Sequence, residues 1–308
     1  MGKSSKSIGL EIILILSIII TLYLTYHIEN KISLQKEKQI NEEHLYKEKV
    51  SLLKEKEKEL EKVNTTIQEY ENIEESIEAK KKEYFSHIKD LESKILNGES
   101  NDKIAYLTFD DGPYYNTYQV LDILDRYDVK ATFFTISMNG EYCYDNKSQN
   151  CFLLYKEYVK KGHTIANHTY THGIRSGLYS SVNSFIDAVN RQEEHVKNQT
   201  EGYTTNIVRF PGGSSTAKGL KSQMIDALKE KGYGWVDWTA GNGDGGRLDS
   251  LEQAWGNLKS TIDSNVEVIL FHDYSWMTTA MLPEVIEYLR DNGYQLYPLF
   301  YESDMIHK

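Results

Sequence analysis

Seven short apolar runs alternate with longer helix-like stretches between residues 102 and 300. The runs read IAYLTF, ATFFTI, TIANHT, NIVRF, YGWVDW, EVILFH and QLYPLF. The helix-like stretches are residues 116–128, 151–161, 180–200, 216–231, 250–265 and 279–292. Parallel strands need long crossover connections, so this alternation is typical of a parallel sheet. It predicts an α/β fold, either an open sheet or a closed (β/α) barrel.

Residues 29–97 have a different composition: they contain neither Pro nor Gly, and Lys and Glu dominate. From residue 60 onward, apolar side chains recur at alternating spacings of three and four, which is the coiled-coil pattern. These a and d positions are Leu60, Val63, Ile67, Tyr70, Glu74, Ile77, Lys81, Tyr84, Ile88, Leu91 and Ile95. We predict a helical stalk over 29–98 that associates into a homo-oligomer; a solitary charged helix is the alternative. The Asn97-Gly98 pair ends it, so the next domain is predicted at 99–308.

The N-terminus carries a hydrophobic segment, residues 8–26, in which Glu11 is the one charged residue. About 19 helical residues span roughly 28 Å, close to the hydrocarbon core of a bilayer. No small-x-small cleavage site follows Tyr26, which favours an uncleaved anchor over a signal peptide. Residues 1–28 are therefore predicted to form a tail and a single-pass membrane anchor. A short tail before the span and a large domain after it favour an extracytoplasmic domain.

Charge and cysteine content limit the partners and the compartment. The net charge is −11 and there is no basic arm, so no nucleic-acid partner is expected. Cys143 and Cys151 flank a polar, loop-like stretch. Outside the cell they can form a disulfide; two free thiols are the alternative.

Five polar clusters follow one another along residues 108–273, nearly all at the ends of apolar runs. They are TFDDGP (108–113), HTYTH (168–172), RFPGG (209–213), DW (237–238) and LFHD (270–273). The carboxyl ends of barrel strands meet on one face, and that face carries the chemistry in such folds. Together the clusters supply the residue types that a hydrolytic metal site requires.

The first two clusters contain the residue types of a metal site. His168 and His172 share one face if helical, or approach each other across a turn. Two imidazoles and a carboxylate suit a divalent metal with an open position for water. Adjacent residues point in different directions, so one of Asp110 and Asp111 can bind the metal while the other faces the substrate. A surface histidine pair and a solvated Asx turn are the structural alternatives.

The later clusters contain candidate supporting groups. Arg209 can orient a carboxylate, and the glycines that follow let the backbone approach a ligand. His272 is a candidate general acid, with Asp237 as the carboxylate that tunes it. The alternatives are a β-turn with a surface arginine and a core histidine.

The five clusters resemble those of the polysaccharide deacetylase family, also called the NodB-homology domain or carbohydrate esterase family four, over about residues 102–300. The resemblance implies a distorted (β/α) barrel, usually of seven strands. It also implies metal-dependent removal of N-acetyl groups, mainly from N-acetylglucosamine polymers, with zinc as the common metal.

Matching positions imply a role for each site residue. The metal ligands would be Asp111, His168 and His172. Asp110 would be the general base and Arg209 would orient it. His272 would be the general acid and Asp237 would support it. The pocket for the acetyl group would be formed by Trp238, Leu270 and a backbone N–H near Gly212. The family often has Tyr where Gly212 stands, which affects substrate preference more than catalysis; Asp244, in the glycine-rich loop after Trp238, is expected to shape the cleft.

The sequence thus predicts a membrane-anchored, extracytoplasmic deacetylase whose glycan substrate is N-acetylglucosamine in peptidoglycan. Deacetylation of another polymer is the alternative in chemistry, with poly-N-acetylglucosamine, chitin oligomers and acetylated xylan as candidates. A non-catalytic glycan-binding scaffold is the alternative in class. The presence of the acid, the base and all three metal ligands argues against the scaffold.

Overall fold

A computed structural model of the chain describes residues 4–137, 151–203 and 206–301, with the backbone alone for residues 4–12. The chain divides into two compact units, Met1–Lys80 and Lys81–Lys308. We refer to them as the N-terminal unit and the C-terminal unit.

The N-terminal unit, over its described residues, is helical and belongs to α1 (Ser4–Leu96). Near its amino end α1 contains a stretch long and apolar enough to cross a membrane. The side chains of Leu60, Val63, Ile67 and Ile77, predicted a and d positions, are exposed. Membrane insertion and coiled-coil association of this unit stay predictions.

The last turns of α1 belong to the C-terminal unit and pack in its core. Ile88 and Ile95 are buried together with strand residues Ile104 and Tyr106, and the hydroxyl of Tyr106 donates a hydrogen bond to the buried carboxylate of Glu92. The a and d positions from Tyr84 to Ile95 were predicted to continue the coiled coil. In the structure they pack against residues of the C-terminal unit. The C-terminal unit begins at Lys81, whereas the boundary predicted from the sequence lies at residue 98; that boundary stays a prediction.

We expect a fragment of residues 81–308 to unfold at a higher temperature than one of residues 99–308. The shorter fragment loses Ile88 and Ile95, whose burial contributes roughly 1.5–3 kcal/mol each, and the ring of Phe85, which stacks on Phe300 at 4.8 Å. Thermal unfolding followed by near-UV circular dichroism measures the difference. A 60–308 fragment, measured at a protein concentration too low for the stalk to associate, is the control: it adds exposed residues only, so its midpoint should match that of 81–308. Equal midpoints for 81–308 and 99–308 would contradict the assignment.

The C-terminal unit is built on a parallel sheet whose order is β5-β4-β3-β2-β1-β7-β6, with β8 also paired to β1. The strands are β1 (Lys103–Asp110), β2 (Thr132–Thr135), β3 (Thr164–Asn167), β4 (Ile207–Val208), β5 (Gly234–Trp235), β6 (Ala240–Gly241), β7 (Val266–His272) and β8 (Tyr294–Tyr297). The helices are α2 (Thr117–Arg126), α3 (Leu153–Lys160), α4 (Val182–Thr200), α5 (Lys221–Glu230), α6 (Leu251–Thr261) and α7 (Trp276–Asp291), with 3-10 turns at Ile174–Ser176 and Ser214–Leu220. The seven predicted runs correspond to every strand except β6.

The sheet curls into a distorted barrel because its two end strands are neighbours in sequence. Only residues 236–239 connect β5 to β6. The N–H of Val236 still bonds to Val208 on one side, at 3.0 Å, and that of Thr239 bonds to Val268 on the other, at 2.9 Å. This segment therefore spans the gap between the ends of the sheet, as expected for the predicted fold class.

The central strand β1 positions the site. It is buried along almost its whole length, and it pairs with β7 in a register that sets Asp110 beside His272. On the opposite edge its carboxyl half pairs with β2 and its amino half with β8. Since all pairs are parallel, the polar clusters that follow β1, β3, β4 and β7 meet at one edge of the barrel.

The predicted disulfide is only partly covered by the structure. Cys151 is buried and takes part in a disulfide. Cys143, its predicted partner, lies outside the described residues.

Candidate active site

Two adjacent aspartates lie at the end of β1. Asp110 is the last strand residue and is 3% exposed. Asp111 has a positive φ of 71°, a conformation that Asp tolerates better than most residues. Its N–H bonds to the carbonyl of Phe134 at 3.1 Å. After this turn both carboxylates reach the same imidazole: Oδ2 of Asp110 lies 3.5 Å and Oδ1 of Asp111 lies 3.6 Å from Nε2 of His168.

The histidine pair approaches Asp111 across a turn and not along a helix. The backbone leaves β3 through positive φ values at Thr169 and His172, of 66° and 49°. The Nε2 atoms of His168 and His172 each lie 3.6 Å from Oδ1 of Asp111. Ligand atoms of the three residues all fall within 4.8 Å of one another. The turn thus assembles the three residues that the sequence pattern identified as candidate ligands.

The protonation state of His168 indicates which kind of ligand suits the space between its imidazole and the carboxylates of Asp110 and Asp111. Burial lowers the pKa of His168 to about 3, so the ring is neutral. Its Nδ1 lies 2.8 Å from the carbonyl of Arg209 and must donate there, which leaves Nε2 without a proton. Nε2 then presents a lone pair to carboxylate oxygens of Asp110 and Asp111 at 3.5 and 3.6 Å. These electron-rich atoms would repel one another unless a cation lay between them. The side chains therefore suit a divalent metal.

Arg209 lies at the centre of the site and is fully buried. One guanidinium nitrogen donates to Asp110 and Thr108, both at 2.8 Å. The other nitrogens donate to the carbonyls of Asp237, at 2.9 Å, and Val236, at 3.4 Å. The guanidinium also stacks on the Phe134 ring at 4.0 Å.

The pairing with Arg209 opposes the effect of burial on Asp110. Burial raises the pKa of the Asp110 carboxyl, and the Arg209 charge works in the opposite direction. Burial likewise lowers the pKa of Arg209, against the Asp110 charge. The contact is the one that the family resemblance implies, and it holds Oδ1 while Oδ2 faces His168.

The partner of His272 is Asp244, which corrects the expectation of Asp237. Nδ1 of His272 lies 2.8 Å from Oδ1 of Asp244, and the His272 N–H bonds to Oδ2 at 2.9 Å. Thr278 donates to the same carboxylate. Burial lowers the pKa of His272, but the hydrogen bond and charge of Asp244 outweigh it and raise the pKa to about 9.

Asp237, the partner expected for His272, contacts Ser214 and Arg209. Its carboxylate accepts hydrogen bonds from the N–H and the hydroxyl of Ser214, at 2.9 and 2.6 Å. Its carbonyl binds Arg209. Asp237 therefore holds the turn after Gly213 in place and positions the Arg209 guanidinium.

The three predicted pocket residues lie along the same edge. Trp238 is half-buried, 5.9 Å from the Arg209 guanidinium. Leu270, on β7, is also half-buried and pairs with Gly241. Gly212 is exposed and has a positive φ of 73°. Their predicted contact with an acetyl group is treated below as part of the proposed function.

One signal in the sequence does point to Asp244. It lies in a loop of glycines, Gly-Asn-Gly-Asp-Gly-Gly, which allows close approach of the backbone. A Cβ at Gly245 would lie 2.7 Å from Cε1 of His272, so the loop passes directly against the imidazole. Asp244 was expected only to shape the cleft.

A barrel that gathers carboxylates, imidazoles and a buried arginine around a candidate metal site at its carboxyl edge is typical of α/β hydrolytic enzymes. The chain belongs to the polysaccharide deacetylase family: the model of that family matches residues 97–235. A putative polysaccharide deacetylase of Bacillus subtilis is 34% identical over 212 residues, which cover 67% of this chain and 70% of that protein.

Two further relatives are similar to this chain. A peptidoglycan-N-acetylglucosamine deacetylase of Bacillus cereus is 30% identical over 223 residues, covering 68% of this chain and 73% of that protein. The crystal structure of the catalytic domain of a peptidoglycan N-acetylglucosamine deacetylase from Eubacterium rectale matches with a TM-score of 0.61 and 34% identity. That match covers 68% of this chain and 93% of that one.

Proposed function

We propose that this protein removes N-acetyl groups from N-acetylglucosamine residues of peptidoglycan, with zinc as the divalent metal. The observation that carries the proposal is the strand register that sets Asp110 beside His272, with Asp111 within 4 Å of the imidazoles of His168, His172 and His272. A proton acceptor and a proton donor on adjacent strands are what amide hydrolysis needs. The relatives named above, two of which are described as peptidoglycan deacetylases, support the choice of polymer.

The metal would be held by Asp111, His168 and His172. The chemistry that a divalent metal supplies at such a site is acidification of a bound water and polarisation of the amide carbonyl. A backbone N–H near Gly212 would stabilise the oxyanion, a contribution typically of roughly 10²–10³ in rate. Trp238 and Leu270 would enclose the acetyl methyl group.

Proton transfer falls to two side chains. Asp110 accepts the proton of the attacking water at Oδ2, because Arg209 holds Oδ1. His272 donates a proton to the leaving amine from Nε2, because Asp244 holds Nδ1. Nε2 of His272 lies 3.9 Å from Asp111, so the proton it carries points into the site.

The N-terminal unit completes the proposal. The apolar segment at residues 8–26 anchors the protein in the cell membrane as a single pass, and the catalytic unit acts outside the cytoplasm. The exposed a and d positions up to Ile77 join copies of the chain into a homo-oligomer. The substrate would then be a glycan close to the membrane, which favours peptidoglycan over soluble oligosaccharides.

Acetate release tests the proposal. Full-length protein in detergent, metal-stripped and then zinc-loaded, would be given peptidoglycan, β-1,4 and β-1,6 N-acetylglucosamine oligomers and acetylated xylan. We expect zinc-dependent release from peptidoglycan, and we expect Asp110→Asn to abolish it. The matched control is Asp249→Asn, because the Asp249 side chain is 71% exposed, and it should behave as wild type. Release from another polymer alone would replace the substrate, and no release from any polymer would contradict the activity.

A further inference from the structure

We propose that Asp273 and Thr117 are positioning residues for Asp111, the carboxylate of the candidate metal site. The Asp273 carboxylate and the Thr117 hydroxyl join the loop after β7 to the loop after β1, and we call this pair the buried link. Neither side chain takes part in the proton transfers described above. The inference rests on the metal site of the proposed function and adds to it the contacts that hold one ligand in place.

The buried link connects two segments that are far apart in sequence. Asp273 directly follows β7 and Thr117 is the first residue of α2, and both are fully buried. The Thr117 hydroxyl donates a hydrogen bond to Oδ2 of Asp273. The same hydroxyl accepts a hydrogen bond from the N–H of Tyr114 at 2.9 Å, and the Thr117 N–H bonds to the Tyr114 carbonyl at 3.1 Å. The turn from Tyr114 to Thr117 is thereby attached to the end of β7.

The Asp273 side chain also packs against the backbone next to Asp111. A Cβ at Gly112 would overlap the carboxylate of Asp273, and the three atoms nearest to that Cβ position all belong to Asp273. The carbonyl of Gly112 accepts a hydrogen bond from the N–H of Ile136, just after β2, at 2.8 Å. Gly112 is therefore held both by the end of β2 and by Asp273, and it directly follows the metal ligand Asp111.

Asp111 needs support from its surroundings because its backbone conformation is unfavourable. Its φ of 71° lies in the left-handed region, which costs free energy for a residue with a side chain. Conformations of this kind persist when the surrounding structure holds them. Because Asp273 holds the next residue, the buried link limits the directions in which the Asp111 carboxylate can point.

The Asp273 carboxylate lies where a residue with a packing role alone would be apolar. Burial of a carboxyl is disfavoured relative to burial of an apolar side chain. Within residues 4–137, 151–203 and 206–301, Oδ1 of Asp273 is buried and makes no hydrogen bond, which adds to the cost. An apolar side chain of similar size would fill the same space, but it could not accept the hydrogen bond from Thr117. The attachment of the loop is therefore what the carboxylate contributes.

The expected consequence is a higher affinity for the metal. A metal site binds tightly when its ligands already have the bound arrangement, and partners that hold the ligands typically contribute roughly 10–100-fold in affinity. We therefore expect substitutions in the buried link to weaken zinc binding by a factor in this range, although neither residue binds the metal itself.

Zinc affinity of the full-length protein in detergent, measured by competition with a chromophoric chelator, tests the buried link. We expect Thr117→Val to weaken binding by roughly 10–100-fold and Thr117→Ser, which keeps the hydroxyl, to bind as wild type does. Thr200→Val is the matched control. The Thr200 hydroxyl also donates to a carbonyl, that of Val196 at 2.6 Å, and accepts from an N–H, that of Tyr203 at 3.1 Å. It lies at the end of α4, so zinc affinity should not change.

A second comparison uses the contact between Gly112 and Asp273. Gly112 has no positive φ, so alanine is compatible with its backbone, and the new Cβ would displace only the Asp273 carboxylate. Gly112→Ala should therefore weaken zinc binding. Asp273→Ala removes the overlapping atoms, so the double variant should bind zinc more tightly than Gly112→Ala alone. The visible absorption of the cobalt-substituted proteins should change in Gly112→Ala and Thr117→Val, because it reports the arrangement of the ligands, and should not change in Thr200→Val.

Several results would overturn the buried link. Wild-type zinc affinity in Thr117→Val would show that the loop holds Asp111 without it. An equal loss in Thr200→Val would show a general effect of lower stability. If the losses in Gly112→Ala and Asp273→Ala simply multiply in the double variant, the two residues do not act through their contact. Wild-type protein that binds no divalent metal would give a distinguishable result, because it would reject the metal site of the proposed function together with the buried link.

Discussion

Replacement of Asp244 with Asn should lower kcat by roughly 10²-fold, within the usual contribution of a general acid, and should shift the alkaline limb of the pH–rate profile to lower pH. His272 must be protonated to act as the acid, so activity falls as pH rises through its pKa. Asp244 is a main reason why that pKa is raised to about 9. Without its charge the pKa falls, and the loss of activity begins at a lower pH. Acetate release measured across the alkaline range gives both quantities.

The informative comparison is Asp237→Asn, because Asp237 was the partner expected from the sequence. Its carboxylate binds Ser214 and not His272, so the alkaline limb of this variant should stay where it is in the wild type. A shift of the limb in Asp237→Asn, together with none in Asp244→Asn, would reverse the assignment.

Replacement of Arg209 with Met should destabilise the C-terminal unit by about 3–5 kcal/mol, the typical effect of removing one partner of a buried ion pair. The Asp110 carboxylate would remain buried without its counter-charge, and two backbone carbonyls would lose their donors. For a unit of this size, the loss corresponds to a fall in Tm of roughly 6–20 °C. Near-UV circular dichroism of the 81–308 fragment measures the transition.

Two companion variants test the cause of that loss. Arg247→Met removes an arginine that is 90% exposed and paired with Asp249, so its effect should stay within about 0.5 kcal/mol. The double variant Asp110→Asn/Arg209→Met removes the unpaired charge and should recover part of the stability. If the single and double effects simply add, the pairing is not the source of the loss.

Most of the fold could be predicted because long strands carry their own signal. Runs such as IAYLTF and EVILFH are buried on both faces, as strands of a parallel sheet are, and they became β1 and β7. The two-residue strand β6 (Ala240–Gly241) has no apolar run and could not be found. The packing of the last turns of α1 could not be predicted for a different reason: the pattern of Ile88, Leu91 and Ile95 specifies an apolar helix face, but not the surface that covers it.

Some features of the site could be predicted from each strand by itself, and others depend on how distant strands pair. Asp110, Asp111, His168 and Arg209 each follow an apolar run, so their common location at one edge was predictable from parallel pairing alone. The partner of His272 was not predictable in this way. Because β6 pairs with Ile269 and Leu270, Asp244 comes to lie beside His272 three residues after β6. Because β6 was not predicted, the contact between Asp244 and His272 could not be predicted either. Asp237 was chosen instead because it lies in the predicted run YGWVDW.

The pairing of β1 has a consequence for the order of folding during synthesis. The first strand of the barrel, Lys103–Asp110, pairs with residues 266–272 and 294–297, which are synthesised long after it. The sheet around β1 thus stays incomplete until β7 and β8 have emerged, and pairing across such long separations is slow. A nascent chain interrupted before β7 would carry Asp110, Asp111 and the histidine pair, but it would lack His272 and could not complete the barrel. We therefore expect chains truncated there to be recognised as unfolded and degraded, and not to persist as partially active enzyme.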